Sequence, residues 1–169
     1  MVALHLAAEA VQNGTCKSAM ALGCNLITSV ITSIVFTETG VLSPSGKCKT
    51  FDLLADGYGR GEAVNAVFVK KLSDALRDGN PIRAVIRSSG TNNDGRSNGI
   101  MNPNTYLQEA LIRQTYEKAG ITDLSKTAFF ECHGTGTPTG DPLEVAAVAR
   151  IWKDHGGVKI GAVSETSMQ

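Results

Sequence analysis

Apolar residues return at helical spacing through "VALHLAAEAVQNG" (residues 2–14), alanine is abundant, and Gly14 stands where a glycine ends a helix. The pattern predicts an amphipathic helix. The run "SAMALGCNLI" (18–27) is short and apolar, the signature of a buried strand. In "ITSVITSIVFTETG" (27–40) the β-branched residues favour a strand and the length favours a helix, so both stay open. Ser-Pro, Ser-Gly and three nearby glycines mark 41–62 as loop. "AVNAVFVKKL" predicts a strand, "SDALRDG" a short helix capped by Ser73 and closed by Gly79, and "IRAVIRSSG" a further strand before a turn-rich stretch. The clearest helix is "NTYLQEALIRQTYEKAG", with Thr105 and Gln108 as a capping box and Gly120 at its end. "TAFFE" and "VKIGAV" predict strands. Between them Asp141, Pro142 and Glu144 take the N-cap, N1 and N3 places of a helix, "PLEVAAVARIW".

Strands and helices therefore alternate with short connections, which predicts an α/β fold with a largely buried sheet and helices on both faces. The chain has 169 residues, 42% hydrophobic and 19% charged, ordinary values for a globular domain or a piece of one. Sixteen basic and sixteen acidic residues cancel. A neutral chain without a basic run gives no electrostatic basis for binding nucleic acid or an anionic membrane surface. No apolar stretch approaches the ~20 residues of a bilayer span, and His5 and Glu9 interrupt the N-terminal run, which lacks the positive start of a secretory signal. The four cysteines, Cys16, Cys24, Cys48 and Cys132, fit no zinc spacing and predict free, structural thiols in a reducing, cytoplasmic compartment.

Chemistry concentrates in "ECHGTGTPTGDPLE" (131–144). The stretch is no phosphate loop: no Lys-Ser or Lys-Thr follows its glycines, whose spacing also misses GxGxxG, as does that of "GYGRGE". Asp141 and Glu144 read as capping residues rather than an acid/base pair. His133 follows a predicted strand, where open α/β sheets place ligands, and Thr135 and Thr137 offer hydroxyls in the same loop. A histidine beside a turn is also common as a structural residue, and residue chemistry alone leaves both readings open.

The stretch "ECHGTGTPTGDPLEVAAVARIW" resembles the EAHGTGTxxGDPxE signature of β-ketoacyl synthases, in particular the ketosynthase domains of modular and fungal-type iterative polyketide synthases. Further matching motifs stand upstream in order: "VALHLA", "LSPSGKCKTFDLLADGYGRGE", "KLSDALRDGNPIRAVIR" and "NNDGRSNGI". The likeness covers about residues 2–163 and marks 1–169 as a partial ketosynthase domain. It implies a thiolase-like fold of layered α-β-α-β-α type, here an incomplete fragment spanning the junction of the two halves. It also implies decarboxylative Claisen condensation of acyl thioesters, an acyltransferase chemistry of polyketide and fatty-acid-like biosynthesis. No bound cofactor is implied; an acyl carrier protein or domain presents the substrate on phosphopantetheine, and the family acts as a homodimer. His133 matches the first of two catalytic histidines, and Thr135 and Thr137 match threonines near the phosphopantetheine arm; no metal is implied.

By the same resemblance the nucleophilic cysteine belongs just before "VALHLA", ahead of Met1, and is absent from these residues. Ser164 stands at the place of the family's lysine and Gln169 at that of its second histidine. Cys132 adjoins His133, but neighbouring strand residues point to opposite faces and make a poor dyad. Three readings follow: a fragment of a polyketide synthase ketosynthase, inactive alone; a non-catalytic remnant or interaction module; and a hydrolase or acyltransferase built on Cys132 and His133.

Overall fold

The structure is a computed structural model describing residues 1–95 and 102–162. Its elements in chain order are α1 (Val2–Gln12), β1 (Ser18–Asn25), α2 (Val30–Glu38), β2 (Ala63–Lys70), α3 (Leu72–Arg77), α4 (Thr105–Lys118), β3 (Phe130–Glu131), α5 (Gly140–Trp152) and β4 (Ile160–Gly161). They divide into two compact units, Met1–Leu26 with Gly61–Thr91, and Ile27–Arg60 with the chain from Asn92 onward.

In the first unit β1 and β2 pair antiparallel, from Ser18 opposite Lys70 to Asn25 opposite Ala63. α1 packs on the sheet, and the buried apolar residues are Val11, Ala21 and Ala75. The predicted helix ends as expected, with Gly14 in the left-handed region at φ +76°. His5 belongs to the packed side of α1: its Nδ1 lies 2.8 Å from Ser89 Oγ. The strand over 18–25 forms, but it is not buried. Met20, Leu22 and Cys24 share a face with their cross-strand partners Phe68, Ala66 and Val64, and Met20, Leu22, Val64 and Phe68 are 58%, 65%, 72% and 61% exposed. Hydropathy reports what a strand requires as cover, and none of the described residues supplies that cover.

Two further expectations in this unit fail. Residues 82–90 form no strand, because a strand exists through its ladder and no described segment pairs with this one. α3 is capped at Lys71 without a side-chain bond, so Ser73 lies inside the first turn. Gly79 does follow the helix with positive φ.

The second unit resolves 27–40 as a helix: Ser29 Oγ accepts the Ile31 N–H at 3.3 Å, and α2 follows. α4 forms as predicted and ends before Gly120 at φ +66°. Its cap is Asn104, whose Oδ1 accepts the N–H groups of Tyr106 and Leu107, and not Thr105, which is buried and donates to the Leu143 carbonyl at 3.2 Å. α4 packs on α5 over a core of Cys132, Val148, Ile151 and Trp152, with Ile112, Tyr116, Leu124, Phe130 and Val158 around it. Trp152 is 1% exposed, meets Tyr116 edge-on at 5.6 Å and donates Nε1–H to the Leu124 carbonyl at 3.1 Å, so its polar end is satisfied. β3 and β4 pair in parallel, Phe130 opposite Ile160 and Glu131 opposite Gly161. Both predicted strands thus shorten to two residues each. Two two-stranded sheets are what the described residues show of the expected sheet.

An apolar sheet face left open to water predicts that the isolated 169-residue chain aggregates or stays molten. Dye binding and sedimentation test this, and a soluble monomer with a sharp cooperative melt would overturn it. Phe68→Lys is expected to raise the soluble yield without loss of circular-dichroism signal.

Candidate functional site

The short parallel pair positions the site. After Glu131 the Cys132 N–H donates to the Gly161 carbonyl at 2.7 Å, the last bond to the β4 side, and the chain then leaves the sheet at His133. A strand end followed by a loop and a helix is where α/β folds carry ligands. Alternation along this edge decides the fate of its two polarisable residues: Cys132 is buried in the core below the loop, while His133 is exposed.

The loop after His133 has no ladder to satisfy its backbone. Two carboxylates from the first turns of α5 do so instead. Glu144 Oε1 accepts the His133 N–H at 2.6 Å, and its Oε2 accepts the Gly134 N–H at 2.9 Å. Asp141, 5% exposed, accepts the Gly136 N–H on both oxygens, at 3.1 and 3.2 Å, and the Phe51 N–H at 2.9 Å. This corrects their assignment as caps of their own helix. α5 begins at Gly140 with Thr139 as an N-cap that makes no side-chain bond, so Asp141 already stands inside the helix. Its side chain and that of Glu144 turn outward to the loop, because helix spacing aims residues three apart at the same neighbour.

A second segment, 48–58, closes on the loop from the other side. Thr50 Oγ1 donates to the Gly134 carbonyl at 2.5 Å, and the Gly57 N–H donates to the Gly136 carbonyl at 3.0 Å. The approach explains the glycines. A Cβ on Gly136, at φ +77°, would lie 2.6 Å from the Lys49 nitrogen, and one on Gly134, at φ +49°, 2.7 Å from the Thr50 methyl. Phe51, whose N–H Asp141 accepts, stands at φ 56°, a left-handed conformation unusual for an aromatic residue. Lys49 pairs with Asp56, and this hydrogen-bonded ammonium, with Ser43, holds the Asp56 carboxyl below its ordinary range.

Above the loop lies an open cavity of about 360 Å³. His133, Thr135, Thr137, Gln108, Asp141 and Glu144 are among its lining residues, so the structure brings the three sequence-predicted site residues to one place. Thr137 Oγ1 accepts the Gly140 N–H at 3.1 Å, and a hydroxyl that accepts one bond keeps its own O–H as a donor. Among the described residues no group of three or more His, Cys, Asp or Glu side chains is arranged to hold a metal ion. Ser164 and Gln169 lie outside the described residues.

The thiols are otherwise disposed. Burial, reinforced by the negative charges of Glu144, Glu131 and Asp141, pushes the Cys132 thiol up to about 11, the reverse of an activated nucleophile. Cys48 is half-buried and its Sγ accepts the Gly59 N–H at 3.2 Å. Cys24 is exposed, a correction to its expected place in a buried strand, and Cys16 is half-buried. His155 lies exposed in the turn after α5.

Sequence reasoning missed the carboxylate anchors, the 48–58 segment as the loop's support, and Gln108. Only the spacing of Asp141 and Glu144 on one helix face carried a usable signal; Thr50 and Phe51 are more than 80 residues from their partners.

The model of the β-ketoacyl synthase N-terminal domain matches residues 1–75 and that of its C-terminal domain residues 83–166. The chain is 55% identical over 163 residues to the highly reducing polyketide synthase VdtX of Byssochlamys spectabilis, covering 96% of the chain and 7% of that protein. It is 56% identical to the highly reducing polyketide synthase pspA of Penicillium soppii, covering 96% of the chain and 6% of that protein. The chain therefore spans less than a tenth of the length of these curated relatives. Among solved structures it matches the oxazolomycin ketosynthase domain OzmH KS7 of Streptomyces albus JA3453 with a TM-score of 0.90 and 36% identity, over 96% of this chain and 28% of that one. The ketosynthase from module 6 of the bacillaene synthase of Bacillus subtilis 168 matches with a TM-score of 0.89 and 37% identity, over 96% and 30%. The backbone is thus that of a fragment of the thiolase-like fold.

The anchors predict that Asp141→Asn costs roughly 2–3 kcal/mol, since a buried charged acceptor of two backbone N–H groups is lost. Glu144→Gln, nearer the surface, should cost about 1–2 kcal/mol. Denaturant titration of a polypeptide carrying this chain checks the order; equal and negligible losses would remove both anchors. Thiol alkylation at pH 8 should label Cys24 first and Cys132 last, on the order of 10- to 100-fold slower. Rapid selective labelling of Cys132 would instead support a Cys132–His133 pair.

Proposed function

The chain belongs to the β-ketoacyl synthase family, and we propose that it carries the histidine side of a condensing site within a polyketide synthase ketosynthase, and that residues 1–169 are one partial domain spanning the junction of its halves. The observation that carries this reading is the loop itself. Glu144 and Asp141 fix the backbone at 133, 134 and 136, so that His133 stands exposed at the cavity with Thr135 and Thr137 beside it.

The proposed reaction transfers a growing acyl chain from a cysteine thioester to a malonyl unit presented on the phosphopantetheine of an acyl carrier domain. Loss of carbon dioxide leaves its electron pair as an enolate on the malonyl thioester. The enolate carbon then attacks the acyl thioester carbonyl, forming the new carbon–carbon bond and expelling the cysteine as thiolate. In this scheme His133 donates a hydrogen bond to the thioester oxygen on which charge develops. Such a donor acts through position more than through acidity. The threonine hydroxyls suit the polar groups of the phosphopantetheine arm, with Thr137 held ready by the Gly140 N–H.

In the unit that bears the cavity neither cysteine suits the nucleophile's role: Cys132 is buried beneath the loop with a raised pKa, and Cys48 is not among the lining residues. The reading therefore takes that cysteine from outside these 169 residues and regards the chain alone as inactive. A homodimer and a cytoplasmic setting belong to the same proposal. Among the described residues no helix is long and apolar enough to cross a membrane. The exposed face of Met20, Leu22, Val64 and Phe68 favours a second reading, a non-catalytic module that binds a synthase partner.

Exchange of residues 2–163 into the ketosynthase of a highly reducing polyketide synthase tests the first reading. The exchanged enzyme should condense, and His133→Ala in it should lower kcat by about 10²- to 10³-fold. An inactive exchange, or full activity without His133, would sink it. The intact mass of the natural polypeptide separates the second: a 169-residue product favours the module.

A further inference from the structure

We infer that Gln108 is a specificity-determining residue of this site, binding an amide group of the pantetheine arm; the inference rests on the reading proposed above and deepens it. Gln108 stands one turn inside α4, which Asn104 caps. It is one of the residues that line the cavity shared by His133, Thr135 and Thr137. Its Oε1 is shielded from water and has no hydrogen-bond partner among the described residues. Within the same unit Asp56 Oδ1 shares that condition, but Asp56 is not among the residues that line this cavity.

A shielded, unpaired amide oxygen is destabilising, and helix α4 offers this one no donor. The terminal torsion of glutamine is broad and two-fold, so a small rotation turns the amide toward the cavity at little cost. There it presents one acceptor and two donors side by side. The chemical complement is another secondary amide, which offers an N–H and a carbonyl at matching spacing. The pantetheine arm carries two such amides, whereas an acyl chain carries none. Gln108 therefore recognises the carrier's arm and not the acyl group, and it completes on the α4 side what Thr135 and Thr137 begin on the loop side. Burial of this polar group against an apolar ligand would leave it unpaired, which makes the residue selective as well as attractive.

The exchanged ketosynthase carrying residues 2–163 is the protein to use, with malonyl-pantetheine and malonyl S-ethyl thioester as the probes. The second lacks both amides. Gln108→Met, of similar volume, should lower the preference for malonyl-pantetheine over the S-ethyl thioester roughly fivefold through KM, with kcat on the S-ethyl thioester within about twofold. Gln108→Glu, which keeps an acceptor at the same reach, should retain part of the preference. The inference is overturned if Gln108→Met leaves the preference unchanged, or if it lowers kcat equally on both substrates, as a structural role would. The double variant Thr135→Val with Thr137→Val distinguishes the two failures. If it lowers the preference while Gln108→Met does not, Gln108 alone is excluded. If neither lowers it, the arm does not run through this loop and the site reading falls with it.

Discussion

Everything this site can do depends on how a glycine-rich loop with no ladder of its own satisfies its backbone N–H groups. Three of those groups, on His133, Gly134 and Gly136, go to two carboxylates projected from the first turns of α5. Hydrogen bonds to ionised acceptors are the stronger kind, and one of these carboxylates is almost wholly buried, so the loop is set by helix geometry and not by its own preferences. Asp141 also accepts the Phe51 N–H and thereby fixes the segment that covers the loop from the other side.

The choice between glycine and threonine along the loop follows from that arrangement. Gly136 meets the backbone of the covering segment and Gly134 lies between Ala162 and Thr50, and both adopt φ values that other residues resist. His133, Thr135 and Thr137 occupy the alternate positions and line the cavity. The sequence HGTGT is therefore two interleaved sets. One gives way to neighbouring backbone; the other presents polar side chains. The even spacing of glycines that rules out a nucleotide loop is the spacing this packing needs.

Both units leave apolar side chains in water, Val30, Ile31, Ile34 and Val35 of α2 among them, but they differ in the core they enclose. Around Trp152 the second unit has a real core, with its indole N–H satisfied and Cys132 sealed away from His133. The first unit has a two-stranded sheet covered by α1, with Met20, Leu22, Val64 and Phe68 left in water. A site can be locally well built while the chain that bears it lacks the apolar cover expected of an independent domain. The match to less than a third of each solved ketosynthase chain is consistent with that imbalance.

The helices over 2–12 and 105–118, the strands at 18–25 and 63–70 and the kinship were legible in the sequence, because they rest on short-range periodicity and on one long motif, the motif that also singles out His133 as a candidate. The sequence left 27–40 undecided, since β-branched composition and helical length pull in opposite directions until Ser29 caps the helix. It placed strands at 82–90 and buried Cys24, since apolar runs do not reveal whether a partner strand or covering layer exists. It also read Asp141 and Glu144 as caps, because a carboxylate near a helix start looks the same whether it serves its own helix or a distant loop. The folded chain settles it by bringing Phe51 to Asp141 across 90 residues, a separation over which no local pattern carries information.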